Sequence, residues 1–174
     1  MASRYLLDQG LVDAVWWLPV HRHAFDKDSG LASWDHRLAM ARAVTDEQDG
    51  LEVDEIERQL SAPSYTWDTV TALRTRHPET RFSWIIGTDI LADLPLWHRW
   101  EELREVLDFL IVGRGGSLGV MPPGGRFTRV DLTLPDISST RLREQLAAGR
   151  FERVRKAVPA SVANYLKDHP DLYR

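Results

Sequence analysis

Apolar residues fall in short runs separated by stretches of helical period. Val12 to Pro19, Phe82 to Gly87 and Phe109 to Arg114 are rich in β-branched and aromatic residues. Leu51 to Ile56 and Val130 to Leu134 repeat the pattern more weakly, and all five runs are predicted strands. Between them, Leu31, Trp34, Leu38 and Ala41 step by three and four, as do Trp67, Val70 and Leu73, and Leu142 with Leu146 begins another helical face. Ser3 to Gly10 is helix-like, and the tail from Pro159 reads as a final amphipathic helix ending at Pro170. Strand and helix thus alternate. Ile85-Ile86-Gly87 and Phe109 to Gly113 are apolar at successive positions, as when helices cover both faces of a parallel strand. The predicted fold is therefore α/β, a Rossmann-like doubly wound parallel sheet in a single domain over residues 1–174, with no internal repeat.

Two features depart from that plan. The stretch Gly113 to Arg126 is loaded with glycine and proline but lacks the G-x-G-x-x-G spacing, and no helical pattern follows it directly. It is read as a long loop, a lid or plain slack. A doubly wound domain also normally opens with a strand whose following loop holds phosphate, whereas Met1 leads straight into a helix-like segment. A first strand is expected to be lacking.

Composition narrows the function. Both signs of charge are scattered over 174 residues with a net charge of −4, a balance that argues against a nucleic-acid partner. There is no cysteine, so disulfides, thiolate nucleophiles and cysteine zinc sites are excluded. No apolar run approaches a membrane span and no leader pattern opens the chain, so a soluble cytoplasmic protein is expected; nothing bears on its oligomeric state.

Four clusters could carry chemistry. Asp136-Ile137-Ser138-Ser139-Thr140-Arg141-Leu142-Arg143 lies between a strand and a helix and offers hydroxyl caps. A structural helix start favours acids, because the dipole is positive there; this turn carries Arg141 and Arg143 instead, which suits a bound phosphate. An ordinary cap with surface arginines is the alternative. Gly87-Thr88-Asp89 follows a buried strand, where open α/β sheets bind ligands, and Asp89 could accept hydrogen bonds from a sugar or merely cap the next helix. Trp97 and Trp100 beyond it could stack on a heterocycle or form a core stripe. Ser64-Tyr65-Thr66 is another strand-to-helix corner whose N–H groups could meet a carboxylate. His21, Arg22, His23 and Lys27 gather positive charge suited to a polyphosphate; a His21–His23 metal pair lacks a third ligand.

Taken in order, VWWLPV, HRHAFDK, SAPSYTWDTV, FSWIIGTD with LPLWHRWEEL, FLIVGR and ISSTRLRE resemble the nucleotidyltransferase superfamily, and specifically the bacterial nicotinate mononucleotide adenylyltransferases. ISST-x-x-R is the superfamily's signature; PSYT with GTD and LPLW is the narrower one. The resemblance implies adenylyl transfer from ATP, with Mg2+, to nicotinate mononucleotide. It places Gly87, Thr88 and Asp89 at ribose and nucleotide, Trp97 on the pyridine ring, and Thr66 and the backbone near Trp97 at the nicotinate carboxylate. It puts His23 and Lys27 at phosphates, and Ser138, Ser139, Thr140 and Arg143 at the triphosphate, with His23 and Arg143 as catalytic groups. The family's Gly-x-Phe-x-Pro-x-His-x-Gly-His loop does not occur in these residues. Reduced activity of this chain is expected for that reason. A related transferase with another phosphate acceptor and a non-catalytic nucleotide-binding module are the alternatives.

Overall fold

The computed structural model describes residues 1–21, 30–114 and 119–173, which form two compact units. One comprises Met1–Tyr5 and Ser64–Asp136; the other comprises Leu6–Pro63 and Ile137–Arg174.

The first unit is built on a parallel sheet in the order β3-β4-β5, from Ser83–Gly87, Asp108–Arg114 and Arg126–Leu134. Helix α3 (Thr66–Arg76) precedes β3, and a 3-10 segment, Thr88–Leu96, leads into α4 (Trp100–Val106). Phe109, Leu110, Ile111 and Val112 are all buried in succession, as expected of a strand covered on both faces. Their neighbours in the core are Val70, Ile86, Leu91, Leu94, Trp100, Leu103 and Leu107. Trp100, Phe109 and Phe127 meet as an aromatic trio, with Phe109 opposite Phe127 in the strand register and their ring centroids 5.3 Å apart. Trp100 therefore belongs to the core, while Trp97 is half-buried against it.

At the N-terminal ends of these strands one carboxylate ties three segments together. Asp108 opens β4 and accepts hydrogen bonds from Arg126, which opens β5, and from Arg81 just before β3, with Arg81 Nη2 at 2.7 Å. Burial pushes the Asp108 carboxyl up, but the two guanidinium groups outweigh it and hold the group below the usual aspartate range.

The second unit holds a parallel pair, β1 (Val15–Trp17) with β2 (Leu51–Val53). Helix α2 (Trp34–Thr45) packs against β2 and against α7 (Ala160–Asp168), and α5 (Ser139–Ala147) leads into α6 (Phe151–Arg155). Leu6 of α1 (Ala2–Asp8), Leu38, Val44, Ile56, Val154 and Leu166 are buried here. The parallel arrangement predicted from consecutive apolar runs and helical crossovers is observed in three ladders, β1 with β2, β3 with β4 and β4 with β5. Residues 119–125 of the glycine-rich stretch form neither helix nor strand, as predicted, although Gly113 and Arg114 still belong to β4. Among the described residues, no helix is long and apolar enough to cross a membrane.

Candidate functional site

The carboxyl end of β3 is the first candidate region. Gly87 closes the strand, and a Cβ there would collide with Asp89 Oδ1, so only glycine lets the chain turn with Asp89 folded back over it. Thr88 is buried, and its hydroxyl donates to the Arg114 carbonyl at 3.2 Å and accepts from the Arg114 N–H at 3.0 Å. That hydroxyl stitches the end of β3 to the end of β4. Asp89 is exposed, and its Oδ2 lies 3.3 Å from Arg114 Nη1. Gly119, at φ 57°, packs on the other side of Thr88, where a Cβ would approach the Thr88 carbonyl to 2.9 Å; Arg129 Nη2 donates to the Gly119 carbonyl at 3.2 Å.

Beyond the 3-10 segment the chain returns to the start of α3. Trp97 lies half-buried, with the Arg99 guanidinium 4.3 Å over the ring of Trp67 and the His98 imidazole stacked on Tyr65 at 4.4 Å. Thr66 is the first residue of α3, and Tyr65 before it makes no side-chain cap bond. The N–H groups of Thr66 and Trp67 are left open by helix geometry, the condition under which a helix start can meet an anion.

The second region is the start of α5. Ser138 is its N-cap, in extended conformation, and Ser138 Oγ accepts from the Arg141 N–H at 3.4 Å. Ser139 and Thr140 are exposed, the first turn holds no acid, and Arg143 Nη2 donates to Thr140 Oγ1 at 3.2 Å. By contrast, α2, α3, α4 and α6 each carry an acid in the first turn; α1 and α7 also lack one, but neither has a hydroxyl side-chain cap bond. Tyr173, to which the sequence reading gives no role, lies within electrostatic range of Arg143 and Arg37. Burial pushes its phenol above the ordinary tyrosine range, and the two guanidinium groups pull it only part of the way back. Its place near Arg143 depends on how the C-terminal turn folds back, for which the local sequence has no signal.

The structure thus brings Gly87, Thr88 and Asp89 together at one strand end, places Trp97 and Thr66 in the same unit, and groups Ser138, Ser139, Thr140 and Arg143 at one helix start in the other. His23 and Lys27 lie outside the described residues. His21 is exposed, and its N–H donates to the carboxylate of the buried Glu57 at 3.2 Å.

Parallel strands joined by helices make this an α/β protein of nucleotidyltransferase type, and residues 2–145 match the model of the cytidylyltransferase-like family. A structure of Plasmodium falciparum nicotinic acid mononucleotide adenylyltransferase complexed with NaAD has the same fold, with a TM-score of 0.77 at 18% identity, over 99% of this chain and 88% of that one. The chain is 38% identical over 161 residues to the "probable nicotinate-nucleotide adenylyltransferase" of Exiguobacterium sibiricum, 92% of this chain and 84% of its relative. It is 38% identical over 177 residues to the protein of the same name from Anaeromyxobacter dehalogenans, 100% of this chain and 88% of its relative. The chain belongs to the nicotinate-nucleotide adenylyltransferase family within the cytidylyltransferase-like proteins.

Proposed function

We propose that this chain transfers the adenylyl group of ATP to nicotinate mononucleotide, giving nicotinate adenine dinucleotide and pyrophosphate, a step of NAD biosynthesis in the cytoplasm. The observation that carries the reading is the start of α5: a serine cap, no acid in the first turn, and Arg143 folded against Thr140. Ordinary helix starts collect carboxylates, so this one is suited to a ligand that brings its own negative charge.

The 5'-phosphate of the acceptor is already a nucleophile at neutral pH and attacks the α-phosphorus as pyrophosphate leaves. Such chemistry needs alignment and positive charge more than a protein nucleophile or a strong base. Ser138, Ser139, Thr140 and Arg143 hold the triphosphate in this reading, and His23 and Lys27 add charge to the phosphates. Gly87 and Asp89 receive the ribose, with Thr88 holding the turn that presents them. Trp97 offers a flat face to the pyridine, and Thr66 lies at the carboxylate. Mg2+ would enter with ATP and would supply positive charge at its phosphate oxygens, alongside Arg143 and Lys27.

The test is chromatographic detection of dinucleotide from ATP, Mg2+ and nicotinate mononucleotide, with nicotinamide mononucleotide and pantetheine phosphate run alongside. Product is expected with the nicotinate acceptor, and Arg143→Ala is expected to lower kcat/KM ~10²- to 10³-fold, the usual loss of a preorganised donor. Product only with another acceptor, or an Arg143→Ala variant of unchanged rate, overturns the assignment.

A further inference from the structure

The backbone has an oddity beside Trp97. Arg99 sits in the left-handed region at φ 54°, ψ 44°, the single non-glycine residue with positive φ among the described residues. That conformation is uncommon for a long side chain, and glycine or asparagine would occupy it more readily. As the residue before α4, Arg99 also supplies no side-chain cap, so helix initiation gives no reason for an arginine here.

Its contacts do give one. The guanidinium stands 4.3 Å over Trp67, in the first turn of α3, while its Nε bonds Glu102 at 3.0 Å. The residue before it, His98, stacks on Tyr65, the cap of that same helix, with centroids 4.4 Å apart and planes 28° from parallel. Two adjacent residues thus grip two positions at the start of one helix. Both are exposed, so burial of the gripping residues themselves gains little, and the pair contacts add to the Trp100 N–H bond to the Trp97 carbonyl at 3.1 Å in holding the turn. Trp97, directly before them, emerges from a 3-10 segment whose last turn closes through its N–H to the Leu94 carbonyl at 3.0 Å. Strain of this kind persists only where surrounding contacts over-determine the backbone, and it concentrates at binding and catalytic places.

We propose that His98 and Arg99, gripping Tyr65 and Trp67, are positioning residues: they pin the 97–99 turn to the start of α3 and so fix the indole of Trp97 where a nucleotide's pyridine ring must stack. This rests on the reading of Trp97 as the pyridine platform. A flat-ring contact depends steeply on the place and tilt of its platform, and packing of the half-buried Trp97 against the core is one restraint on it; the exposed side of the turn needs a second. The ring stack and the guanidinium contact supply that second restraint without touching the substrate themselves.

Calorimetric titration of the 174-residue chain with nicotinate mononucleotide, and separately with Mg-ATP, tests it in wild type, His98→Ala, His98→Phe and Arg99→Gly. His98→Ala is expected to weaken nicotinate mononucleotide about three- to tenfold, the range a ring pair contributes, with ATP binding unchanged. His98→Phe, which keeps a ring on Tyr65, is expected to restore it. Arg99→Gly relieves the backbone strain and leaves the fold intact, yet is expected to weaken the same ligand. Equal affinity for nicotinate mononucleotide in all variants, equal weakening of both ligands, or a phenylalanine that fails to rescue overturns the proposal alone. Wild-type protein that binds ATP but not nicotinate mononucleotide overturns the platform reading, and the proposal with it.

Discussion

At the scale of single residues, the end of β3 shows how little space the site leaves. Gly87 is required by Asp89, whose carboxylate occupies the place a Cβ would take. Gly87→Ala is expected to swing Asp89 away from Arg114. Because Asp89 is a surface side chain able to move, the fold loses only a little, ~1 kcal/mol at most. With the ribose contact proposed for Asp89 displaced, the loss in rate is larger, and kcat/KM is expected to fall ~10- to 10²-fold while the melting temperature stays close to wild type. Steady-state kinetics and a thermal melt on one sample check both halves. Equal loss of stability and rate would mean that Gly87 serves packing alone. Thr88 is the opposite case: the sequence places it correctly at a strand end, but its hydroxyl is engaged by both main-chain groups of Arg114, a partner 26 residues away that no local pattern discloses.

At the scale of elements, α5 separates a cap from an anion site. Ser138→Ala removes the Oγ that accepts from the Arg141 N–H and is expected to cost ~1 kcal/mol, lowering the melting temperature by a few degrees. Ser138→Asp keeps a good cap and adds a favourable charge to the helix dipole, so it should melt at or above wild type. Its carboxylate also sits where the triphosphate is proposed to bind, and the KM for ATP is expected to rise. If both variants change stability and leave that KM alone, the helix start is only a cap. This turn was legible because its chemistry is local: hydroxyls, then arginines where acids belong. β4 was legible because every position of Phe109 to Val112 is apolar. β5 was not. It begins at Arg126, yet only Val130 to Leu134 reads as strand-like, because the ladder shifts register between Ile111 and Gly113 and the inward face passes from odd to even positions, from Phe127 to Val130. The 3-10 segment was missed as well. Its buried residues Thr88, Leu91 and Leu94 step by exact threes, the eclipsed spacing of that helix, which a search for steps of three and four absorbs without notice.

At the scale of the whole molecule, the three-stranded sheet divides its work between its two ends. The N-terminal ends are tied by Asp108 with Arg81 and Arg126; the C-terminal ends carry Gly87, Asp89 and Arg114. Asp108 has a folded-state pKa below the unfolded value of ~3.9, so its contribution is present at neutral pH and is lost as pH falls through the folded value. Asp108→Asn is expected to lower stability at pH 7 by about 1 kcal/mol, a modest figure because Arg81 and Arg126 are largely solvated, and to flatten the acid limb below pH ~4. Denaturant melts at pH 7 and pH 3 check this, and kcat/KM should be untouched at neutral pH. A variant whose deficit is the same at both pH values would show that the carboxylate's charge is not what ties the strands.

Thr88 touches Arg114 on one side and Gly119 on the other, with Leu91 close behind Gly119. Descendants of this sequence therefore cannot explore those positions in any order. A side chain at 119 is admissible only after Leu91 has been trimmed and the backbone at 88 has given way, and a change at 88 first unhooks 114. Each single step passes through a less fit protein, although their combination need not be one. The strand end is a historical lock, and a mutational library built one position at a time would record these sites as intolerant when the restriction lies in the path.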